Sequence, residues 1–140
     1  VENGDIVQLY PGEKPKVIDK APVGRMLVDG NISVGEDSIS IKERINISFN
    51  GILEITILIN NKGLLANNPI ISYKGIPNKD GSNDFVFDLQ DKIRSICKTY
   101  SLKNFKQEQN LIDTLKTNCR KAVKEKTGKR PYTNINLVRI

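Results

Sequence analysis

The chain has no histidine and no tryptophan, and only two cysteines and one methionine, among its 140 residues. Histidine is the commonest side chain for acid–base work near neutral pH and the commonest ligand of transition metals. Its absence excludes, within this chain, a Ser-His-Asp triad, a Cys-His pair and every zinc site that uses imidazole. Cys97 and Cys119 alone cannot build a four-cysteine zinc site, and two cysteines make no disulfide framework in a chain of this size. Paired carboxylates remain for acid–base chemistry or a magnesium ion. The local groups, Glu36-Asp37 and Asp88 with Asp91, stand where turn and helix-start chemistry already accounts for them. The sequence thus offers no catalytic residue, metal-ligand set or cofactor of its own.

Aromatic residues make up only 6% of the chain, four Tyr and four Phe, most of them within apolar patterns. Single-stranded nucleic-acid binders usually interleave exposed aromatics with basic residues, and no such platform is visible. The core must therefore come from Ile, Leu and Val. No apolar run approaches the roughly 18 residues of a membrane span. The opening Val1-Glu2-Asn3-Gly4-Asp5 lacks the basic and apolar regions of a signal peptide. With Val1 first and its one methionine, Met26, internal, the chain reads as a piece of a longer polypeptide. Both cysteines fall on the apolar sides of expected helices, where a thiol acts as a small hydrophobe. Reduced thiols suit a cytoplasmic protein. Asn31-Ile32-Ser33 and Asn46-Ile47-Ser48 match the glycosylation sequon, a pattern too short to carry weight there.

What is present is a globular balance, 38% hydrophobic and 27% charged, enough for one ordinary domain with an arm. Asp5–Tyr10 reads as a short strand closed by Pro11-Gly12. Glu13–Pro22 is extended and proline-bounded, as linkers are, with Lys16–Asp19 able to pair briefly. Val23–Asp29 is a second strand ended by Asp29-Gly30, and the domain boundary falls near Lys20–Val23. Ile39–Ile47 stays open between strand and helix: the 39/41 and 45/47 alternation favours strand, while Lys42-Glu43-Arg44 favours a short helix or turn. Asn50-Gly51 turns the chain into Ile52–Ile59, a β-branched run apolar on both faces and so a central strand. Leu64–Gly75 returns as the second arm of a hairpin, with Pro69 confining its first part to an edge. Asn83 or Ser82 can cap a helix reaching about Tyr100, with Phe85, Leu89, Ile93, Ile96 and Tyr100 on one face. A second helix runs from about Gln107 to Thr127, striped by Leu111/Ile112, Leu115, Cys119 and Ala122/Val123, and Gly128 ends it. Tyr132–Ile140 is a closing strand. The expected architecture is α+β, a small three-stranded sheet with two helices packed on one face, preceded by an extended arm.

The net charge of +6 is uneven. Residues 1–82 carry 9 Lys and Arg against 10 Asp and Glu, whereas residues 83–140 carry 13 against 6. On the second helix Lys116, Arg120 and Lys124 form an i, i+4, i+8 row with Lys121 beside it. Lys126, Lys129 and Arg130 extend the charge past the helix end. One reading is a phosphate-tracking patch giving salt-dependent, sequence-independent RNA affinity. The other is a solvated face with cations drawn to a helix C-terminus. Both stay open.

Several segments, in order and spacing, resemble the end of the ribonuclease J family. Asn3-Gly4-Asp5-Ile6-Val7 and Pro11-Gly12 resemble the closing strand of its metallo-β-lactamase fold and the exit to a linker. Val23-Gly24-Arg25-Met26-Leu27-Val28-Asp29-Gly30 resembles the strand that opens its C-terminal domain. Lys42-Glu43-Arg44, Ser48 and Gly51 resemble the stretch before its central strand, and Leu64–Gly75, with Pro69 and Gly75, the strand after it. Glu125-Lys126-Thr127-Gly128-Lys129-Arg130-Pro131 followed by a strand resembles the family's ending. The resemblance implies that residues 1–21 are the end of the metallo-β-lactamase region and a linker arm, and residues 22–140 the C-terminal domain. It also implies a cytoplasmic RNA-processing nuclease with 5′-to-3′ exonuclease and endonuclease activity. Its two zinc ions would lie in a metallo-β-lactamase body aided by a β-CASP domain, whose His and Asp motifs have no counterpart in this chain. The appended domain would support subunit assembly and activity, with the remainder of the chain and a second subunit as partners and RNA as a further contact.

Overall fold

The computed structural model describes residues 1–78, 84–100 and 105–140. They form two compact units, Val1–Lys42 and Glu43–Ile140. In the first, β1 (Asp5–Gln8) pairs antiparallel with β2 (Lys16–Lys20), with an irregularity between Ile6 and Val7. There β3 (Met26–Asp29) also pairs with β4 (Ile32–Gly35). The tight connection through Gly30, at φ +61°, explains why Asp29-Gly30 ends one strand and at once begins its partner. Sequence reading found no β4, because its four residues hold only two apolar side chains. Every residue of β2 is exposed, and Val28 and Ile32 are 78% and 66% exposed.

Helix α1 (Ile39–Asn50) crosses from one unit into the next and resolves the open segment as helix. The 39/41 and 45/47 alternation is coincidental. Ile41 and Ile47 are half-buried, whereas Ile45 and Phe49 are 53% and 68% exposed. No residue of α1 is buried, so tertiary burial does not account for the helix. Asn50-Gly51, expected as a turn, serves as the helix stop. Gly51, at φ +79°, donates its N–H to the Ile47 carbonyl at 2.7 Å.

In the second unit β5 (Ile52–Ile59) lies at the centre of a sheet ordered β6-β5-β7, as its two-sided apolar pattern predicts. The edge strand β6 (Ile70–Lys74) is antiparallel to β5 and starts directly after Pro69. On the other side β7 (Tyr132–Arg139) runs parallel to β5 over eight residue pairs, from Ile52↔Tyr132 to Ile59↔Arg139. A parallel neighbour needs a long crossover, and α2 (Asp84–Lys98) and α3 (Phe105–Thr127) supply it. The proposed caps Ser82 and Asn83 lie outside the described residues.

Alternation along β5 turns Leu53, Ile55, Ile57 and Ile59 to one face, where they are buried with Phe85, Leu89 and Ile93 of α2 and Leu111, Leu115, Cys119 and Val123 of α3. Both helices therefore pack on one face of the sheet, as expected. Full burial of each large aliphatic side chain contributes about 1.5–3 kcal/mol. Tyr73 meets Phe85 edge to face at 4.9 Å. Thr133, the one buried polar residue among the described residues, donates its hydroxyl to the Pro131 carbonyl at 3.0 Å.

Two substitutions test this account. Leu115→Ala should cost about 2–5 kcal/mol by emptying a fully buried site. Gly51→Ala should cost at least about 2 kcal/mol, because a Cβ there would stand 2.5 Å from the Lys74 carbonyl oxygen at a left-handed φ. Urea unfolding monitored by circular dichroism reads both, and midpoints equal to wild type would contradict the packing described.

Candidate nucleic-acid interface

The same helix that closes the core carries the basic face. With 3.6 residues per turn, the stripe Leu111, Leu115, Cys119, Val123 points to the sheet. Thr117, Arg120, Lys121 and Lys124, at i, i+3, i+4 and i+7, then lie on the opposite side. These four, with Asn46 of α1 and Arg130-Pro131, line an open hollow of about 600 Å³.

Backbone pinning brings Arg130 there. Gly128, at φ +74°, ends α3 and donates to the Lys124 carbonyl at 2.9 Å. Lys129 Nζ then donates to the Phe49 carbonyl at 2.8 Å, a cation at the negative end of α1. The Arg130 N–H donates to Asn50 Oδ1 at 3.1 Å, and Asn50 Nδ2 donates to Asn46 Oδ1 at 2.8 Å. The Tyr132 N–H completes the series by donating to the Gly51 carbonyl at 2.9 Å.

Of the seven basic residues singled out in the sequence, the fold brings Arg120, Lys121, Lys124 and Arg130 together around the hollow, while Lys126 turns to Asp88. Lys116 is half-buried and does not line it; Lys129 is half-buried and spends its ammonium on α1. Sequence reading missed Asn46, which only the fold brings near, and Thr117, which sits one residue off the chosen row. Five cations elsewhere in the described residues are seen in ion pairs: Lys126 with Asp88, Arg94 with Asp91, Arg139 with Glu108, Lys42 with Asp37 and Lys20 with Glu2. Among the described residues the side chains of Arg120, Lys121, Lys124 and Arg130 have no acidic partner, and no carboxylate lines the hollow. Like charges four apart on a helix destabilise it. The Arg120–Lys124 pair therefore gains nothing from mutual attraction, while Lys124, in the last turn, suits the negative end of α3.

Residues 39–140, from the first residue of α1 to the last of the chain, match the model of the ribonuclease J C-terminal domain family. The chain belongs to that family. It is 23% identical over 141 residues to Ribonuclease J of Sinorhizobium meliloti, an alignment covering all of this chain and 25% of that protein. It is 27% identical over 133 residues to Ribonuclease J2 of Bacillus subtilis, covering 94% of this chain and 24% of that protein. The chain thus spans about a quarter of the length of these curated relatives. All residues lining the hollow lie inside the matched region.

Within this ribonuclease J C-terminal domain, three of the four carboxylates singled out in the sequence, Asp37, Asp88 and Asp91, are engaged in ion pairs. Among the described residues no group of three His, Cys, Asp or Glu side chains could hold a metal ion. No helix among them is long and apolar enough to cross a membrane. Burial pushes the Cys97 thiol up to about 11. Burial likewise pushes Cys119 up to about 12, with Lys92 pulling it down and Cys97 raising it further. Because the thiolate is the nucleophile, both should resist alkylation by iodoacetamide at pH 8 in the folded chain and react after unfolding. An unfolded thiol ionises at about 9.0, below the folded values, so stability from this source is complete below pH 9 and lost as pH rises through 11 to 12. Rapid native labelling, or stability rising over that alkaline window, would contradict the buried placement.

Proposed function

We propose that this chain is the non-catalytic C-terminal domain of a ribonuclease J-like RNA-processing nuclease. In this reading it supports subunit assembly and the activity of a zinc-dependent 5′-to-3′ exonuclease and endonuclease body carried by the rest of the polypeptide. The observation that carries it is the family match over residues 39–140, in a chain a quarter the length of relatives named Ribonuclease J and J2. Residues 1–21 are then the end of the metallo-β-lactamase region with its linker arm, and residues 22–140 the appended domain. The two zinc ions belong to the body, in the cytoplasm. The domain offers for assembly the sheet face turned away from its helices. There Ile70 and Val138 are 57% and 43% exposed, and no described helix packs on them.

A second reading, an auxiliary RNA contact through Lys116, Arg120, Lys121, Lys124, Lys129 and Arg130, is favoured by the unpaired cations around the hollow. The two readings separate experimentally. The purified chain should show no ribonuclease activity with zinc, manganese or magnesium, and light scattering should show a mass that rises with concentration. A strictly monomeric chain at high concentration refutes self-association by this piece. Nuclease activity that survives repurification refutes the non-catalytic assignment.

A further inference from the structure

The hollow's lining is selective in what it omits. Among the described residues it is lined by four cations, one amide, one hydroxyl and a proline, with no aromatic ring and no carboxylate. Single-stranded bases are ordinarily held by stacking on aromatic rings and read through their hydrogen-bonding edges. A lining of cations instead addresses phosphate oxygens, which are the same at every nucleotide. Its shape selects further. A duplex carries its phosphates on a convex, stiff surface, whereas a single strand can bend its backbone into a concavity. At about 600 Å³ the hollow falls within the roughly 300–1,000 Å³ of sites that enclose small ligands. That is room for a short stretch of backbone.

The cations are also unequal. Arg120 and Arg130 present planar forks that match two phosphate oxygens at once, while Lys121 and Lys124 are mobile point charges. The two guanidiniums come from separate elements, one on α3 and one on the segment anchored to Asn50. Their spacing is therefore set by the fold rather than by a single helix.

We propose, resting on the RNA-contact reading above, that the hollow takes the sugar–phosphate backbone of single-stranded RNA with its bases turned outward. Arg120 and Arg130 select that backbone by paired hydrogen bonds, and Lys121 and Lys124 add charge. Lys116, outside the hollow, plays no part.

The test is fluorescence anisotropy on the intact chain with labelled single-stranded oligo-U, oligo-A and oligo-dT of equal length, and an RNA duplex of that length. The three single strands should bind within about threefold of one another and the duplex about tenfold more weakly. Engagement of four phosphates gives a slope of about −3 for log affinity against log salt. Arg120→Lys and Arg130→Lys, which keep the charge, should each weaken oligo-U binding about tenfold. Lys116→Ala should change it less than about twofold. Circular dichroism melts matching wild type establish that each variant is folded. Arginine-to-lysine variants that bind like wild type, or a duplex that binds as well as a single strand, overturn this proposal. If Lys121→Glu with Lys124→Glu still abolishes binding in that case, the RNA-contact reading stands alone. No binding of any oligonucleotide at low salt removes both.

Discussion

Burial of one face of β5 is the constraint on which the second unit depends. Leu53, Ile55, Ile57 and Ile59 all project to the same side and are at most 1% exposed. A strand so apolar cannot sit at an edge, so it takes a neighbour on each flank and two helices above it. Once α3 commits its Leu111–Val123 stripe to that core, helical geometry leaves its basic residues facing outward. The parallel pairing of β5 with β7 then fixes the other part of the hollow. With Ile52 opposite Tyr132, the residues just before β7 fall beside the end of α1. The cationic hollow is thus a by-product of how a hydrophobic strand is covered.

Elements whose patterns carry their own burial signal were legible in the sequence. The central strand, its antiparallel edge partner after Pro69, the stripes of α2 and α3 and the stop at Gly128 all follow from period and turn chemistry. Helix α1 was not legible, because its apolar residues satisfy both the strand and the helix period and no buried face breaks the tie. The hairpin through β4 escaped because its four residues contain too little apolar material to register. The charged face was visible as a row on one helix. Which of its members converge depends on Arg130 and Asn46, 84 residues apart, being brought to the same place. Local pattern holds no trace of that.

Charge is used in two ways in the described residues. Pairs such as Lys126–Asp88 and Arg139–Glu108 join the ends of packed elements, each worth at most about 1 kcal/mol at the surface. The hollow instead concentrates cations without compensation, at a small cost in stability. This separation gives the excess of basic residues in the second half a structural meaning that net charge alone does not convey.

The meeting of Gly51 with Gly75 has a consequence for how the hollow is held. A Cβ on Gly75 would stand 3.2 Å from Gly51 Cα, so two turns nearly touch at the corner where α1 ends and the sheet begins. The contacts that anchor Lys129, Arg130 and Tyr132 all run to residues 49–51 at that corner. The corner behaves as a mechanical datum: whatever swells it displaces Arg130 from α3 without altering any charge. The position of Arg130 is therefore sensitive to side-chain volume at a glycine that does not itself line the hollow.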